Sequence, residues 1–129
     1  MSLTYTEDST NINVVIDNIH YMEDHRKNKN ENYCVLLETG SLNPVHKNHI
    51  LNLMQAKEYL EHQYHYRVLA GYLSPTHDAY VKEKLRYNHI PSEHRIRMCE
   101  EAIKEANAQD WICVDTAECQ ATGFVDFPD

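Results

Sequence analysis

The chain has 129 residues, which is enough for one domain with its own hydrophobic core and too few for two. Its 20 Asp and Glu residues against 12 Lys and Arg give a net charge of −8 with neutral histidines, so the overall field repels nucleic acid and anionic membranes, and neither is expected as a partner. No stretch approaches the roughly 20 apolar residues of a membrane span. The four cysteines form no CxxC pair, which indicates reduced structural thiols in a cytoplasmic or nuclear protein.

Residues 1–32 are predicted to be a polar N-terminal extension that contains one short helix. Residues 1–10 are small and polar and show no periodicity. Residues 13–25 have apolar side chains at helical spacing, and the stretch after them is wholly polar. The apolar stripe consists of Val14, Val15, Ile16, Ile19 and Met22. We expect this helix to pack on the domain or on a neighbouring copy.

Residues 33–53 predict a buried strand, a polar loop and a helix in succession. The strand is the short apolar run 34–38. Gly40 and Ser41 allow the backbone to bend and to approach a ligand closely, and Asn43 with Pro44 marks a turn or a helix start. This order places loop amides and a helix N-terminus where phosphate groups are stabilised.

The next elements predict a βαβ unit. A helix is predicted for residues 48–62 and a second buried strand for residues 67–73, so the two strands should pair in parallel. The inward face of the helix consists of Ile50, Leu51, Leu53, Met54, Lys57 and Leu60. Residues 76–89 are too charged for a core and predict a loop with at most one helical turn, at the strand end where open α/β sheets bind ligands.

A second helix and a third strand follow. Pro91, Ser92 and Glu93 are a helix start signal, and the helix should end near residues 108–109. Its apolar stripe consists of Ile96, Cys99, Ala102, Ile103 and Ala106. Residues 111–114 predict a third buried strand. The order β-α-β-α-β is the N-terminal portion of a Rossmann-like, doubly wound parallel sheet, so residues 33–129 predict an α/β domain that is incomplete at its C-terminus.

Several polar residues are candidates for a site. His46 and His49 lie three positions apart at a helix start and can both donate hydrogen bonds to phosphate oxygens. A surface pair or half a zinc site is the alternative, but no partner has metal-like spacing, so no metal site is predicted. Asp78 favours a cap or a turn. Arg95 opposes the dipole of its helix, which leaves open a salt bridge or a contact at the ligand edge.

Four blocks of the sequence resemble motifs of the nucleotidyltransferase superfamily. Residues 40–49, GSLNPVHKNH, resemble its GxFxPxHxGH signature. Residues 73–82, LSPTHDAYVK, resemble ISPVxDxYxK, residues 94–98, HRIRM, resemble HHRVxM, and residues 111–116, WICVDT, are similar to the start of WVEVDTWE. With these blocks in the family's order, the chain most resembles the eukaryotic nicotinamide/nicotinate mononucleotide adenylyltransferases.

The resemblance implies transfer of an adenylyl group from ATP, with Mg²⁺ on its triphosphate, to nicotinamide or nicotinate mononucleotide. The products would be NAD or deamido-NAD and pyrophosphate. It implies catalytic roles for His46 and His49 and places ATP at Gly40, Ser41, Leu42, His46 and His49. It places the mononucleotide at Gly40, Ser41, Tyr80, Lys82 and Phe124.

Three of these assignments have alternatives in the residues themselves. Leu42 keeps an apolar wall where the family has Phe, but it has no aromatic face. Lys82 lies on a charged segment and is also explained as a solvated side chain. Phe124 is also explained as a hydrophobic anchor for the C-terminal tail.

No ISSTxxR-like motif follows Phe124, although members of this family hold ATP phosphates with its Ser, Thr and Arg. The chain is therefore expected to be a fragment, to receive the missing part from a partner chain, or to be a nucleotide-binding or interaction module without turnover. A sheet of three parallel strands also leaves an open edge, so a homo-oligomer is expected.

Overall fold

The computed structural model describes residues 10–25 and 31–121. Helices and strands alternate along the chain and confirm the predicted elements, except between residues 76 and 89. In order they are α1 (Asn13–Asp24), β1 (Asn32–Gly40), α2 (Lys47–Gln63), β2 (Tyr66–Pro75), α3 (Asp78–Leu85), a 3₁₀ turn (Arg86–Asn88), α4 (Ser92–Glu105) and β3 (Ile112–Val114). None of the described helices has the length and apolar character needed to cross a membrane.

The strands form one parallel sheet in the order β1-β2-β3. Val35 of β1 pairs with Ala70 of β2, and Gly71 of β2 pairs with Ile112 of β3. Since parallel neighbours need a crossover connection, α2 joins the first two strands, and α3 with α4 joins the second and third. The predicted Rossmann-like α/β class is confirmed.

The hydrophobic core lies between the sheet and helices α2 and α4. Its buried members are Leu42, Ile50, Leu53, Leu73, Cys99, Ile103, Ala108 and Ile112. The prediction for Leu51 is wrong, because this side chain is 46% exposed while Ile50 beside it is 4% exposed. Neighbouring residues on a helix are about 100° apart, so a face that includes Ile50 and Leu53 turns Leu51 toward solvent.

Helix α1 lies against the other face of the sheet. Successive strand residues point to opposite faces, and Tyr72, next to the core residue Leu73, donates its hydroxyl to the carbonyl of Asn11 at 2.7 Å. The side-chain amide of Asn18 donates to the main chain of β2 at 2.7 Å. No residue of α1 is fully buried, and Ile16 of the predicted stripe is 41% exposed. The helix thus lies on the sheet without a fully buried side chain of its own.

The segment 76–89, predicted as a loop with at most one helical turn, is mostly helical. It contains α3 and the 3₁₀ turn, and within α3 only Val81 is buried. Because most of its side chains are exposed, the segment has no apolar stripe from which a helix could be predicted. The start of α3 is set locally, because the ring of His77 accepts a hydrogen bond from the N–H of Ala79 at 3.1 Å.

Helix α4 ends at Glu105, earlier than predicted, because the chain makes a Schellman stop there. Asn107 has a left-handed backbone with φ 54°. Its N–H donates to the carbonyl of Lys104 at 3.0 Å, and the N–H of Ala108 donates to Ile103 at 3.1 Å. A single Asn is the only signal of this stop in the sequence.

The four cysteines are free thiols. Burial raises the pKa of Cys99 to about 12 and that of Cys119 to about 11. Because a thiol that stays protonated is a poor nucleophile, these two side chains act as small core residues.

We predict that Gly71→Ala destabilises the fold. A Cβ at this position would lie 2.9 Å from the Trp111 ring and 3.5 Å from Leu53, inside the packed core. Such overpacking typically lowers the free energy of unfolding by about 1–3 kcal/mol. Urea denaturation measures the effect. The cost should shrink when Trp111→Leu is introduced first, and an equal cost in both backgrounds would contradict this explanation.

Candidate functional site

The carboxyl ends of β1 and β2 lie side by side at the edge where the loop of residues 40–46 begins. Gly40 is aligned with Pro75 in the parallel ladder, and the N–H of Thr76 donates to the Gly40 carbonyl at 3.0 Å. The loop therefore lies next to the start of α3. Open α/β sheets bind their ligands at this edge.

The side chain of Leu42 anchors the loop in the core. Its backbone has φ 46°, in the left-handed region that is uncommon for residues other than Gly. The side chain is 3% exposed, and this burial stabilises the unfavourable backbone. Leu42 was expected to present an apolar wall to a ligand, but the side chain lies in the core cluster, so only its main chain can contact a ligand.

His46 and His49 meet at the N-terminus of α2, as their spacing predicts. The N–H of His46 donates to Nδ1 of His49 at 2.8 Å, and the N–H of His49 donates to the His46 carbonyl at 3.0 Å. The two rings stack with centroids 5.7 Å apart. Because Nδ1 of His49 accepts a hydrogen bond, its neutral ring carries the proton on Nε2. Nε2 is therefore a donor that a ligand can use.

The first turn of α2 adds main-chain donors beside His49. Lys47 and Asn48 begin the helix, so their N–H groups have no acceptor four residues earlier within it. The helix has 17 residues, and its dipole places partial positive charge at this end. The result is a local group of hydrogen-bond donors and partial positive charge on a chain whose net charge is −8.

Asn43, which was predicted with Pro44 to mark a turn or a helix start, connects the loop to the segment before α4. Its side-chain N–H donates to the carbonyl of Asn88 at 2.6 Å, and its side-chain oxygen accepts from the N–H of Ile90 at 2.7 Å. Both ends of the amide are used, which fixes the side chain and the loop that carries it.

Arg95 is fully buried and joins three segments of the chain. Its Nη1 donates to the carbonyl of Ser41 at 2.8 Å, and its Nε donates to the carbonyl of Ile90 at 2.7 Å. Its Nη2 donates to Oδ1 of Asp78 at 2.8 Å. Of the two alternatives for Arg95, the structure shows the salt bridge.

Asp78 is the shared acceptor of this network. Besides Arg95, its Oδ1 accepts from Nε2 of His89 at 2.9 Å and from the N–H of Ser92 at 2.8 Å. Asp78 therefore caps α4, whereas α3 is capped by His77. Burial acts to raise the pKa of Asp78, but the hydrogen bonds from His89, Arg95 and Ser92 outweigh it and lower this pKa to about 2. The carboxylate is thus charged at neutral pH.

Tyr80 and Lys82 lie on α3, which begins at this edge. Two positions apart on a helix, their side chains point to nearly opposite sides. Tyr80 is 41% exposed with Lys84 Nζ 6.0 Å from its ring centroid, and Lys82 is exposed. The structure does not bring the two side chains to one point, and their contacts with a mononucleotide stay predictions. Phe124 lies outside the described residues.

The burial of two polar groups near this edge could not be predicted from the sequence. Ser74 Oγ and one carboxylate oxygen of Glu118 have no hydrogen-bond partner within residues 10–25 and 31–121. Glu118 is 4% exposed, and burial raises its pKa to about 7, against the opposing effects of a His77 main-chain hydrogen bond and the charge of Arg95. An isolated Glu after a short strand gives no pattern from which such burial could be predicted.

Residues 37–124 match the sequence model of the family described as cytidylyltransferase-like. Similar curated proteins include nicotinamide/nicotinic acid mononucleotide adenylyltransferase 2 of Danio rerio, which is 41% identical over 87 residues, covering 67% of this chain and 26% of that protein. The nicotinamide/nicotinic acid mononucleotide adenylyltransferase of Oryza sativa subsp. japonica is 40% identical over 91 residues, covering 70% of this chain and 33% of that protein.

A protein of the same name from Schizosaccharomyces pombe is 31% identical over 113 residues, covering 88% of this chain and 29% of that protein. The chain thus spans between a quarter and a third of the length of these curated relatives.

We predict that Glu118 makes the protein less stable as pH rises. Its pKa is about 7 in the folded chain against an ordinary 4.5, so the stabilisation given by the protonated form is complete below pH 4.5 and is lost between pH 4.5 and 7. This loss should be about 3 kcal/mol. It should be absent in Glu118→Gln, which cannot titrate.

Urea denaturation at pH 4.5 and pH 8 measures the difference between wild type and Glu118→Gln. The exposed Glu58→Gln serves as the control and should follow wild type at both pH values. A difference between wild type and Glu118→Gln that does not change with pH would contradict the assignment.

Proposed function

Because this chain belongs to the cytidylyltransferase-like family, we propose that it binds ATP at the loop of residues 40–46 and takes part in adenylyl transfer to nicotinamide or nicotinate mononucleotide. The products are NAD or deamido-NAD and pyrophosphate. The names of the relatives support this choice of acceptor. The observation that carries the proposal is the fixed His49 ring in the first turn of α2, beside the first N–H groups of that helix and at the carboxyl edge of the sheet.

Adenylyl transfer needs an oxygen of the acceptor phosphate in line with the α-phosphorus of ATP. A new O–P bond forms on one side while the bond to pyrophosphate breaks on the other. Negative charge grows on the leaving and non-bridging oxygens, so fixed donors contribute most. The His49 ring is held in place by the hydrogen bond that its Nδ1 accepts from the N–H of His46, and its Nε2 donates to these oxygens. His46 is the positioning partner.

Gly40 gives the substrate access to the main chain. A Cβ built at this residue meets no atom within 4 Å, so the space beside it is open. Ser41 follows at the turn, and we propose that both residues contact ATP and the mononucleotide. Tyr80 and Lys82 extend the site toward the mononucleotide, where Lys82 supplies a mobile positive charge for the acceptor phosphate.

We propose that Mg²⁺ enters with ATP. Among residues 10–25 and 31–121 no group of three His, Cys, Asp or Glu side chains can hold a metal ion. This fits a cation carried mainly by triphosphate oxygens and water, as Mg²⁺ prefers. When bound, it neutralises charge on the triphosphate.

We also propose that the protein self-associates through β1 and works in the cytoplasm or nucleus. Within the part of the chain that the structure describes, β1 pairs with β2 alone, so one edge of this strand is open. Val35 and Leu37 on this strand are 49% and 54% exposed. An open edge next to exposed apolar side chains favours pairing with another copy. Free thiols fit a reducing compartment.

We predict that His49→Asn weakens the binding of ATP·Mg²⁺ about tenfold, the value of roughly one hydrogen bond to a charged group. Asn places an oxygen where Nδ1 of His49 accepts from His46, so the helix start is kept while the Nε2 donor is lost. Calorimetric titration of ATP·Mg²⁺ and of nicotinamide mononucleotide, each alone, measures binding, and an NAD formation assay measures turnover.

His62→Ala is the control, because it removes an exposed histidine from the far end of the same helix and should leave affinity unchanged. Equal ATP affinity in wild type and His49→Asn would contradict the proposed role of His49. Tight binding of ATP without NAD formation by this chain would favour the nucleotide-binding module without turnover.

We predict that Leu37→Lys shifts the protein toward the monomer, because a charged side chain beside an open strand edge opposes strand pairing. Analytical ultracentrifugation over a concentration series measures the mass. Leu51→Lys changes a similarly exposed leucine on α2 and should leave the mass unchanged. A wild-type protein that is monomeric at all concentrations would refute self-association.

A further inference from the structure

The positive charge of Arg95 is unfavourable for α4, the helix that contains it. It lies in the first part of α4, where the helix dipole disfavours a cation, and its side chain is 0% exposed. A buried ion pair is often no more stabilising than an apolar residue of the same size. The presence of a guanidinium here therefore calls for a reason other than the stability of α4.

The hydrogen bond to Ser41 supplies that reason through the geometry of the next peptide group. Nη1 of Arg95 holds the Ser41 carbonyl at 2.8 Å. In a planar trans peptide the C=O and the following N–H point in opposite directions, so the N–H of Leu42 points away from Arg95. No described residue accepts a hydrogen bond from this N–H.

The guanidinium is itself fixed in orientation. Its three donors are held by the Ser41 carbonyl, the Ile90 carbonyl and the Asp78 carboxylate, at 2.7 to 2.8 Å. Three acceptors around a planar fork leave it no freedom to rotate. The buried side chain of Leu42 holds the other end of the same peptide unit. The direction of the Leu42 N–H is therefore set before any ligand arrives.

We propose that Arg95 is a positioning residue that orients the Ser41–Leu42 peptide so that the N–H of Leu42 donates to a phosphate oxygen of ATP. The inference rests on the proposed function for the identity of the ligand. The positioning role itself, in which a buried guanidinium orients a main-chain donor toward an anion, is tested with inorganic tripolyphosphate.

The test compares Arg95→Leu with Arg97→Leu. Both remove one positive charge from α4, but Arg97 is exposed and belongs to no described hydrogen bond of the loop. Calorimetry with tripolyphosphate should show at least a tenfold rise in Kd for Arg95→Leu and less than a twofold rise for Arg97→Leu. Circular dichroism confirms that each variant is folded at the temperature used.

A second variant, Arg95→Lys, keeps the positive charge but loses the planar guanidinium. It provides the test if Arg95→Leu does not fold. Its Kd should also rise, and the amide resonance of Leu42 in a ¹⁵N spectrum should shift and exchange faster. A merely structural role would lower the melting temperature without moving the Kd of the folded protein. Unchanged Leu42 amide signals and an unchanged Kd in both Arg95 variants would overturn the proposal.

The wild-type titrations separate the two proposals. Binding of tripolyphosphate without binding of ATP·Mg²⁺ would refute the proposed function, while the Arg95 variants would still decide the positioning role. Binding of ATP·Mg²⁺ by wild type without binding of tripolyphosphate would overturn the positioning role and leave the proposed function standing.

Discussion

One buried guanidinium determines how the carboxyl edge of this sheet is built. Ser41 follows β1, Asp78 opens α3 and Ile90 precedes α4, and Arg95 donates a hydrogen bond to each of them. The core fixes the same loop independently through Leu42. Since polar and apolar contacts fix the loop from two directions, its main-chain donors have a defined geometry without a ligand, which is the condition for effective electrostatic stabilisation of a phosphate group.

The net charge of −8 does not prevent this chain from having an anion site, because the two effects act over different distances. The overall field decides which large polyanions approach, and salt screens it within about 10 Å. In the proposed site, the N-terminus of α2 and the His49 ring would act over a hydrogen-bond length on a single phosphate. Asp78 does not cancel this attraction in full, because its charge is already shared with Arg95 and His89.

Local patterns were enough to predict the three strands, α2 and α4, because a buried strand and an amphipathic helix each leave a periodic signal. They were not enough for α3, whose single buried residue, Val81, leaves no stripe. The histidine pair could be predicted, since both residues lie in one helical turn. A cap was predicted for Asp78, but neither the helix that it caps nor the partners of Asn43 could be predicted, because these partners come from segments far along the chain. The burial of Glu118 also depends on tertiary contacts alone.

The parallel pairing of β1 with β2 has a consequence for how the chain folds. Asn32 pairs with Tyr66 and Gly40 with Pro75, so every rung of this ladder joins residues separated by the whole of α2. Loop-closure entropy must be overcome before any of these bonds forms, and a topology rich in such distant contacts folds slowly compared with a helical bundle of the same size. The loop of residues 40–46 lies between the two strands in the chain. Its final shape therefore depends on the pairing of these two distant strands as well as on its own residues.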